Sequence, residues 1–281
     1  MSDFQRILPA ISHYEGLSRA VYGAKFVANA QAQFADMMQK YYSTTDNPDY
    51  SPDIKKFCYL YKYAVPHGYF IYATLRRLRP KIRPSIFSHN PTRVACIGGG
   101  PGTEIIGLCR YFREVEAENL GNAVEITIFD KEPSWEDACH RVLACVTPDL
   151  DVRLRFVEFD ATDPDSYSRL DFSGFHLVMA NFFASEIRKA RIVGASRPFW
   201  AHLFNSMGAG KIFVALDFAD NGGVAWRYIE GILPPSASAV LSDQVLGMTC
   251  PDSKACIAAL EAELDHRPKK YAQNLVKAVI T

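Results

Sequence analysis

The chain of 281 residues is 48% hydrophobic, and its 31 basic residues balance its 31 acidic residues. This composition suits one large α/β domain with or without a helical extension, and the neutral charge excludes a global field that would attract nucleic acid or a membrane. The seven cysteines include no C-x-x-C pair and no zinc spacing, which favours reduced thiols over a disulfide framework or a metal site. The N-terminal residues do not read as a signal peptide and no run of 18 apolar residues occurs, so we expect a cytoplasmic or nuclear protein.

Up to about residue 85 the chain has the pattern of helices. The segment YEGLSRAVYGAKFVANAQAQFADMMQKYY (14–42) is rich in alanine and is predicted to be helical, and TTDNPDYSPD (44–53) has the composition of a turn. Residues 54–78 are predicted to form two shorter helices with a break near Pro66–Gly68, and the proline-rich residues 80–91 are predicted to form a linker. The hydrophobic residues at helical intervals in the first segment are Leu17, Val21, Phe26, Phe34 and Met38.

From residue 93 onward, short apolar runs alternate with helical segments. Helices are predicted at 103–114 and 134–146, and Ser134 is expected to cap the second one. Strands that alternate with helices form βαβ units and a mostly parallel sheet. We therefore predict a doubly wound, mostly parallel seven-stranded α/β sheet in residues 86–281, preceded by a helical N-terminal extension in residues 1–85. The predicted strands are 93–97, 124–130, 152–160, 175–183, 210–218, 238–248 and 274–281.

The segment RVACIGGGPGTE (93–104) places Gly98, Gly100 and Gly102 at the first strand-to-helix turn. In a doubly wound sheet this turn lies at the carboxyl edge, where ligands bind. Residues without Cβ let a ligand come close to the backbone, and the helix that follows presents free N–H groups to the same crevice. The dinucleotide fingerprint G-x-G-x-x-G needs a small residue at position 103, but Thr103 stands there and the spacing is G-x-G-x-G.

Polar side chains end the next three predicted strands. Asp130 ends the second strand, where a carboxylate accepts the ribose hydroxyls of a nucleotide ligand. Asp160 ends the third strand and Asn181 the fourth. The carboxyl ends of parallel strands share one edge, so we expect these three side chains to converge on one crevice.

From residue 93 to its end, the chain resembles the class I S-adenosylmethionine-dependent methyltransferases, which carry this G-x-G-x-G spacing. The resemblance implies the cofactor S-adenosyl-L-methionine, with Asp130 on the ribose, Asp160 on the adenine amino group and the Ala161 N–H on a ring nitrogen. It implies that Asn181 meets the methionine portion and the methyl acceptor, and Asn181 and Glu186 are the predicted catalytic residues. The predicted cofactor-binding residues are Cys96, Gly98, Gly99, Gly100, Pro101, Gly102, Glu104, Asp130, Lys131, Trp135, Asp160, Ala161, Asn181 and Phe182.

Two departures from the family pattern leave alternatives open. The family usually has an acid at the position of Cys96, and Glu104, Asp160 or Glu186 is the candidate to hold the cofactor's ammonium instead. The fourth strand lacks the Asn-Pro-Pro-aromatic signature and keeps only an asparagine and an aromatic residue. A catalytically inactive scaffold and a nicotinamide-dependent oxidoreductase are the rival classes, although no Y-x-x-x-K pattern occurs near the fourth or fifth strand.

Two basic groups direct the prediction of the methyl acceptor. In the family, elements before the first strand often form the acceptor side, and a basic segment next to the crevice would grip phosphates. RNA, including ribosomal RNA, is therefore the first predicted acceptor, and a protein or a small molecule is the alternative. The same basic residues are equally typical of the solvent-exposed C-terminal end of a helix, where cations interact favourably with the helix dipole. The first group is Arg76, Arg77, Arg79, Lys81 and Arg83, and the second is His266, Arg267, Lys269 and Lys270.

Several further residues have a simpler structural interpretation beside the functional one. Trp135 is close enough to Asp130 to cover an adenine ring, but a tryptophan at a helix start also serves packing. Ser185, like Glu186, is a candidate base for a hydroxyl acceptor. His176 is expected to be a core histidine. Tyr59, Tyr61, Tyr63 and Tyr69 are expected to make core or helix–helix contacts.

Overall fold

A central sheet of seven strands carries the fold of this computed structural model. The sheet order is β3-β2-β1-β4-β5-β7-β6, where β7 is antiparallel to both of its neighbours and the other pairs are parallel. The strands are β1 (Thr92–Ile97), β2 (Val124–Asp130), β3 (Val152–Glu158), β4 (Leu177–Asn181), β5 (Ile212–Phe218), β6 (Ser238–Thr249) and β7 (Tyr271–Ile280). The predicted doubly wound, mostly parallel seven-stranded sheet is confirmed.

Helices cover both faces of the sheet and form a helical region before β1. They are α1 (Asp3–Tyr22), α2 (Phe26–Tyr42), α3 (Asp53–Tyr59), a π-helix (Leu60–Ala64), α4 (Val65–Ile86), α5 (Thr103–Val115), α6 (Trp135–Val146), α7 (Pro164–Tyr167), α8 (Ile192–Met207) and α9 (Ala258–Leu264). The structure describes residues 2–42, 49–86, 88–116, 121–147, 149–184, 192–218, 227, 229–250, 258–267 and 271–281. In those ranges, no helix has the length and apolar character needed to cross a membrane.

The central strands are buried on both faces, which explains their continuous apolar sequence. Every residue of β4 is buried, and in β1 Arg93 is the one exposed residue. Parallel strands covered by helices on both sides are expected to read this way. At the edge of the sheet, β3 alternates between exposed and partly exposed residues. One hydrophobic cluster joins the α1–α4 helices to α5, α6 and one face of the sheet, so the N-terminal helices share a core with the sheet.

The predicted helical character of residues 14–42 is confirmed, and two α-helices, α1 and α2, share this segment. The first helix begins earlier, at Asp3, where Ser2 and Gln5 form a reciprocal capping box. It ends at Gly23, whose positive φ of 52° breaks the helical path before α2 begins. Of the five spaced hydrophobic residues, Phe26 and Phe34 are buried, whereas Leu17, Val21 and Met38 are exposed.

The predicted break at Pro66–Gly68 and the predicted linker over 80–91 are wrong. The chain stays helical from Asp53 to Ile86 through the π-helix. Pro66 lies just after the π-helix, at the start of α4, and does not interrupt the helical path. Gly68 lies at a close crossing with α5, because a Cβ built there would be 2.8 Å from Ile106 Cβ, and one built at Gly107 would be 2.6 Å from the Gly68 carbonyl oxygen. The glycine therefore permits helix packing and does not break the helix.

Ser134 does not cap α6 as expected. Its backbone is already helical and its side chain makes no capping hydrogen bond. Its N–H instead donates to Glu132 Oε1 at 3.1 Å, so the turn after β2 is closed by a glutamate side chain. This turn places Trp135, the first residue of α6, beside the glycine turn after β1.

Candidate cofactor-binding site

The glycine turn between β1 and α5 has a backbone that only glycine adopts easily. The φ angles of Gly98, Gly100 and Gly102 are 64°, 50° and 81°, all in the left-handed region. A Cβ at Gly98 would be 2.2 Å from the Phe183 ring, so that position is closed by packing. A Cβ at Gly100 would meet only Trp135 Nε1, at 3.9 Å, within a 4 Å radius. Gly100 therefore faces open space at the carboxyl edge of the sheet, the space that a ligand against the backbone would occupy.

Asp130 at the end of β2 holds this turn in place. Its Oδ2 accepts a hydrogen bond from the Gly100 N–H at 2.8 Å, and its Oδ1 accepts one from the Glu132 N–H at 3.0 Å. Burial raises the pKa of Asp130, while these two backbone donors oppose the shift. Each carboxylate oxygen has two lone pairs, so both oxygens retain an acceptor site. The group can order the turn and accept ribose hydroxyls at the same time.

Glu104 in the first turn of α5 is the second carboxylate beside the turn. Its side chain is 1% exposed, and it accepts hydrogen bonds from Asn181 Nδ2 and Thr103 Oγ1, both at 3.2 Å. Burial raises the pKa of Glu104 to about 7, and the charge of Asp130 adds to this shift, whereas Asn181 and Thr103 oppose it. Two acids thus flank the glycine turn, and one of them is almost inaccessible to water.

Cys96 occupies the position where the related family usually has an acid. Its side chain is fully buried in β1, and burial, with the charge of Glu104 as a further cause, raises the pKa of this thiol well above its usual value. The thiol is therefore neutral and offers no charge to a ligand. The charge of Glu104 contributes to the raised pKa of Cys96, and Glu104 also accepts a hydrogen bond from Asn181 at the end of β4, so it is the candidate to supply the negative charge that Cys96 does not.

Asp160, the second candidate to replace that acid, has a local structural role. Its Oδ1 accepts hydrogen bonds from the N–H and the Oγ1 of Thr162, at 2.8 and 2.7 Å, which is the pattern of an Asx-turn. Its own N–H donates to Ser166 Oγ at 2.8 Å. Ala161 is buried beside it. The third candidate, Glu186, lies outside the described residues, as does Ser185.

A row of aromatic rings crosses the crevice from one side to the other. We call the four side chains that the N-terminal region contributes, Tyr50, Tyr59, Tyr63 and His67, the aromatic row. Tyr50 and Tyr59 lie 5.2 and 5.5 Å from Trp135, ring centre to ring centre. Tyr63 lies 5.3 Å from Tyr59 and 5.2 Å from His67. His67 stacks on Phe182 at 3.9 Å, so the row connects α6 to the end of β4.

This arrangement refines three predictions. Trp135 is 2% exposed and packs against the aromatic row, so its packing role is evident. Tyr61 is buried as expected, whereas Tyr59 and Tyr63 are only partly buried and line the crevice. The sequence did not indicate a role for His67 or Tyr50. The π-helix in this segment is a feature common at functional sites, but it leaves no signal in the sequence. Phe182 has a φ of 57°, a rare conformation for a non-glycine residue and one often found at binding sites.

The first basic group does not lie next to the crevice, contrary to the premise of its prediction. Helix α5 runs from the carboxyl edge to the amino edge of the sheet. Arg79 Nε lies 3.6 Å from Glu116, which follows the C-terminal end of α5, so Arg79 lies toward the amino edge. Lys81 Nζ donates to the Val240 carbonyl at 2.6 Å. Arg76 and Arg77 are exposed. The sequence could not reveal this, because the direction of α4 relative to the sheet follows from tertiary packing.

The remaining predicted residues occupy varied positions. Pro101 and Gly99 are buried within the glycine turn, and Lys131 is exposed after Asp130. Ahead of β4, His176 Nδ1 accepts a hydrogen bond from the Arg93 N–H at 2.9 Å, a structural role. In the second basic group, His266 stacks on Phe34 at 4.0 Å and Arg267 pairs with Glu261 at 2.8 Å. The side chain of Arg83 and the residues Lys269 and Lys270 lie outside the described part of the chain.

The residues present fit S-adenosylmethionine better than a dinucleotide. A pyrophosphate binds at the N-terminus of the helix that follows the glycine turn, and here Glu104, in the first turn of that helix, would place negative charge beside it. Asp130 suits the ribose of either ligand. An ammonium group and a ribose are the ligand groups that two carboxylates favour. Within the described ranges, no three His, Cys, Asp or Glu side chains come together as a metal site.

Comparison with known proteins gives fold-level similarity only. No protein family model and no curated protein matches the chain. Precorrin-6y C5,15-methyltransferase from Geobacter metallireducens is 12% identical, with 73% of this chain and 89% of that chain covered at a TM-score of 0.39. An rRNA methylase from Streptococcus thermophilus is 8% identical, with 74% and 96% covered at a TM-score of 0.42. At these identities and TM-scores, neither structure indicates what this chain binds or methylates.

Proposed function

We propose that this protein is an S-adenosylmethionine-dependent methyltransferase whose cofactor lies on the glycine turn between β1 and α5. The observation that carries the proposal is the pair of carboxylates, Asp130 and Glu104, on either side of a turn that leaves open space at Gly100. A ligand that combines a ribose with a positively charged amino acid portion matches both acids. The ribose of a nicotinamide cofactor would also suit Asp130, but its anionic pyrophosphate does not suit Glu104.

Each predicted residue then has a distinct role in binding. Asp130 accepts the ribose hydroxyls with the lone pairs that the backbone leaves free. Asp160 and Ala161, at the end of β3, are the residues proposed for the adenine ring. Asn181 and Glu104 face the amino acid portion. S-adenosylmethionine, when bound, supplies a methyl group on a positively charged sulfur.

The protein's own contribution to the reaction is alignment and exclusion of water. Methyl transfer from a sulfonium is an in-line displacement, so holding the acceptor atom in line with the methyl group provides most of the rate enhancement. Positive charge is consumed as the reaction proceeds, and no oxyanion hole is needed. The aromatic row between Trp135 and Phe182 lies over this crevice and would keep water from it. Asn181 and Glu186 stay the proposed residues on the acceptor side.

The N-terminal helices are proposed to form the acceptor side of the site. The support is that the segment before α3, α3 itself, the π-helix and the first turn of α4 place the aromatic row against Trp135 and Phe182. RNA stays the first acceptor to test because Arg76 and Arg77 are exposed cations on α4. Their position toward the amino edge means that they would hold the RNA backbone away from the reacting atom. A protein or a small molecule is the alternative acceptor.

Transfer of a labelled methyl group tests the activity and the acceptor class together. The purified chain is incubated with methyl-labelled S-adenosylmethionine and, separately, with total RNA, denatured protein and a small-molecule fraction. We expect label in one of the three pools with the wild-type chain and none with Gly100→Val. If RNA is the acceptor, the double variant Arg76→Ala/Arg77→Ala raises the KM for RNA at unchanged kcat. No label in any pool, despite cofactor binding, would favour the catalytically inactive scaffold.

A further inference from the structure

Glu104 is a buried carboxylate for which the described residues supply no basic partner. Its hydrogen bonds come from Asn181, Thr103 and the backbone, and among the described residues no lysine, arginine or histidine forms an ion pair with it. Burying a charged carboxylate without a compensating cation is costly. A cation that entered the crevice would remove that cost, which makes Glu104 a preformed site for a positively charged ligand group.

The groups around Glu104 do not neutralise its charge. Cys96 from β1 and Cys139 from α6 are buried thiols whose pKa values are raised by burial, so both are uncharged. Asp130 from β2 adds negative charge, and Asn181 from β4 is neutral. On α4, which packs on the first turn of α5 near Gly68, the neighbouring titratable side chain is His67, and its ring stacks on Phe182.

We propose that the Glu104 carboxylate binds the α-ammonium group of the cofactor, and that binding releases a proton from this carboxyl group to the solvent. The inference rests on the proposed function. It assigns to a residue of α5 the role that the family resemblance gives to an acid at position 96, where this chain has Cys96. Of the two described acids among the three candidates from the sequence, Glu104 accepts a hydrogen bond from Asn181 at the end of β4, whereas Asp160 forms a local turn with Thr162.

The proton release follows from the state of the ligand-free site. Because Glu104 is buried with no described cation beside it, and burial raises its pKa to about 7, a share of the ligand-free molecules carries a proton there near neutral pH. An ammonium group beside the carboxylate lowers this pKa, since an opposite charge favours the ionised form. The affinity for the cofactor is therefore expected to fall below pH 7, by at most about tenfold for each pH unit.

Calorimetric titration with two ligands separates this role from a structural one. S-adenosylhomocysteine carries the amino acid portion, and 5′-methylthioadenosine keeps the adenine and ribose but lacks it. For Glu104→Gln we expect about tenfold or greater loss of affinity for S-adenosylhomocysteine and unchanged affinity for methylthioadenosine. The matched control Glu136→Gln, an exposed acid in the first turn of α6, should leave both affinities unchanged.

Titrations in buffers of different ionisation enthalpy measure the proton directly. At pH 7 the wild-type chain should release a measurable fraction of a proton per S-adenosylhomocysteine bound, and Glu104→Gln should release none. Restoring an acid in the double variant Cys96→Asp/Glu104→Gln should recover affinity for S-adenosylhomocysteine. An equal loss of affinity for both ligands in Glu104→Gln would overturn the assignment while leaving the proposed function intact. The same proton release in the variant as in the wild type would do so as well. If the wild-type chain bound neither ligand, the proposed function itself would fail. Should Glu104→Gln not fold, the pH dependence of wild-type affinity and its proton release decide alone.

Discussion

The side-chain amide of Asn181 donates a hydrogen bond of 3.2 Å to Glu104 Oε1, which joins the end of β4 to the first turn of α5. Both side chains are buried, so the contact is shielded from solvent. It connects the residue proposed to face the methyl acceptor with the residue proposed to hold the cofactor. A substitution of either residue is therefore expected to change the hydrogen bonding of the other.

Replacing Asn181 should change how Glu104 titrates. The Asn181 donor lowers the pKa of Glu104, so Asn181→Ala raises it further and shifts the pH at which cofactor binding weakens to higher values. The lost hydrogen bond also costs about 1 kcal/mol of folding free energy. Calorimetry with S-adenosylhomocysteine between pH 6 and 8 measures the shift. An identical pH profile in the variant and the wild type would show that the two groups are not coupled.

Replacing Gly100 should abolish cofactor binding without unfolding the chain. Gly100 has a φ of 50° and faces open space, so a valine there strains the backbone by about 1–3 kcal/mol and places its side chain in the ligand's volume. Thermal unfolding and calorimetry of Gly100→Val give the two readouts. The control Gly174→Ala, at a position with free space and an ordinary φ, should change neither. Retained affinity in a folded Gly100→Val would contradict the position of the cofactor.

Removing the Asp130 carboxylate should lower the affinity for the cofactor for two reasons. Asp130→Ala loses the proposed ribose contacts, worth about 1–3 kcal/mol, and also leaves the Gly100 N–H without its acceptor at 2.8 Å. Asp130→Asn keeps an acceptor for Gly100 and is expected to bind more tightly than Asp130→Ala. Dissociation constants for methylthioadenosine measure this order, because that ligand carries the ribose. An unchanged constant in Asp130→Ala would mean that the ribose is held elsewhere.

The ligand-free chain should lose stability as the pH rises toward neutrality. The pKa of Glu104 is raised from 4.5 to about 7 on folding, so the folded state holds this proton more tightly than the unfolded state. The resulting stabilisation is complete below pH 4.5, declines as the pH rises, and is lost above pH 7. This contribution to the free energy of unfolding is on the order of 3 kcal/mol.

Urea unfolding at pH 5 and pH 8 checks this loss. Glu104→Gln should be more stable than the wild type at pH 8 and should show a smaller difference between the two pH values. Part of the pH dependence persists in the variant, because burial also raises the pKa of Asp130. The same pH dependence in both chains would mean that Glu104 is already ionised and compensated without a ligand.

The crossing of α4 and α5 should be sensitive to one added methyl group. A Cβ at Gly107 would lie 2.6 Å from the Gly68 carbonyl oxygen, so Gly107→Ala forces the helices apart at a cost of about 1–3 kcal/mol. Gly16→Ala is the matched control, because Gly16 lies within α1 with nothing within 4 Å of its Cβ position. That change should stabilise the chain by up to about 1 kcal/mol. Equal effects on the urea midpoint would contradict the close crossing.

The sheet and its edge could be predicted from the sequence because their signals are local. Apolar runs such as VACI in β1 and LVMA in β4 are buried on both faces, and each is followed by a residue whose type suits the carboxyl edge. The glycines at 98, 100 and 102 have the positive φ angles that their spacing indicates. Chain order and strand pattern were sufficient to bring Asp130 and Asn181 to the same edge.

Features that depend on tertiary packing could not be predicted. In the sequence Gly68 has the pattern of a helix breaker, but in the structure it permits close packing against α5, which is distant in the chain. The choice of Glu104 over Asp160 needs the positions of Cys96 and Asn181 around it. The basic segment after residue 75 was misplaced because the direction of α4 across the sheet is not encoded locally. The errors at Gly68 and in the basic segment arose where a long-range contact outweighs the local signal.

The measurement that tests the central claim most directly is calorimetric titration of the purified chain with S-adenosylmethionine, S-adenosylhomocysteine and NADH in parallel. The two carboxylates at the glycine turn predict binding of both sulfur-containing ligands and none of NADH. Binding of NADH alone would identify the turn as a dinucleotide site and contradict the methyltransferase assignment. Binding of none of the three would contradict it as well and would favour a scaffold that keeps the fold without the cofactor.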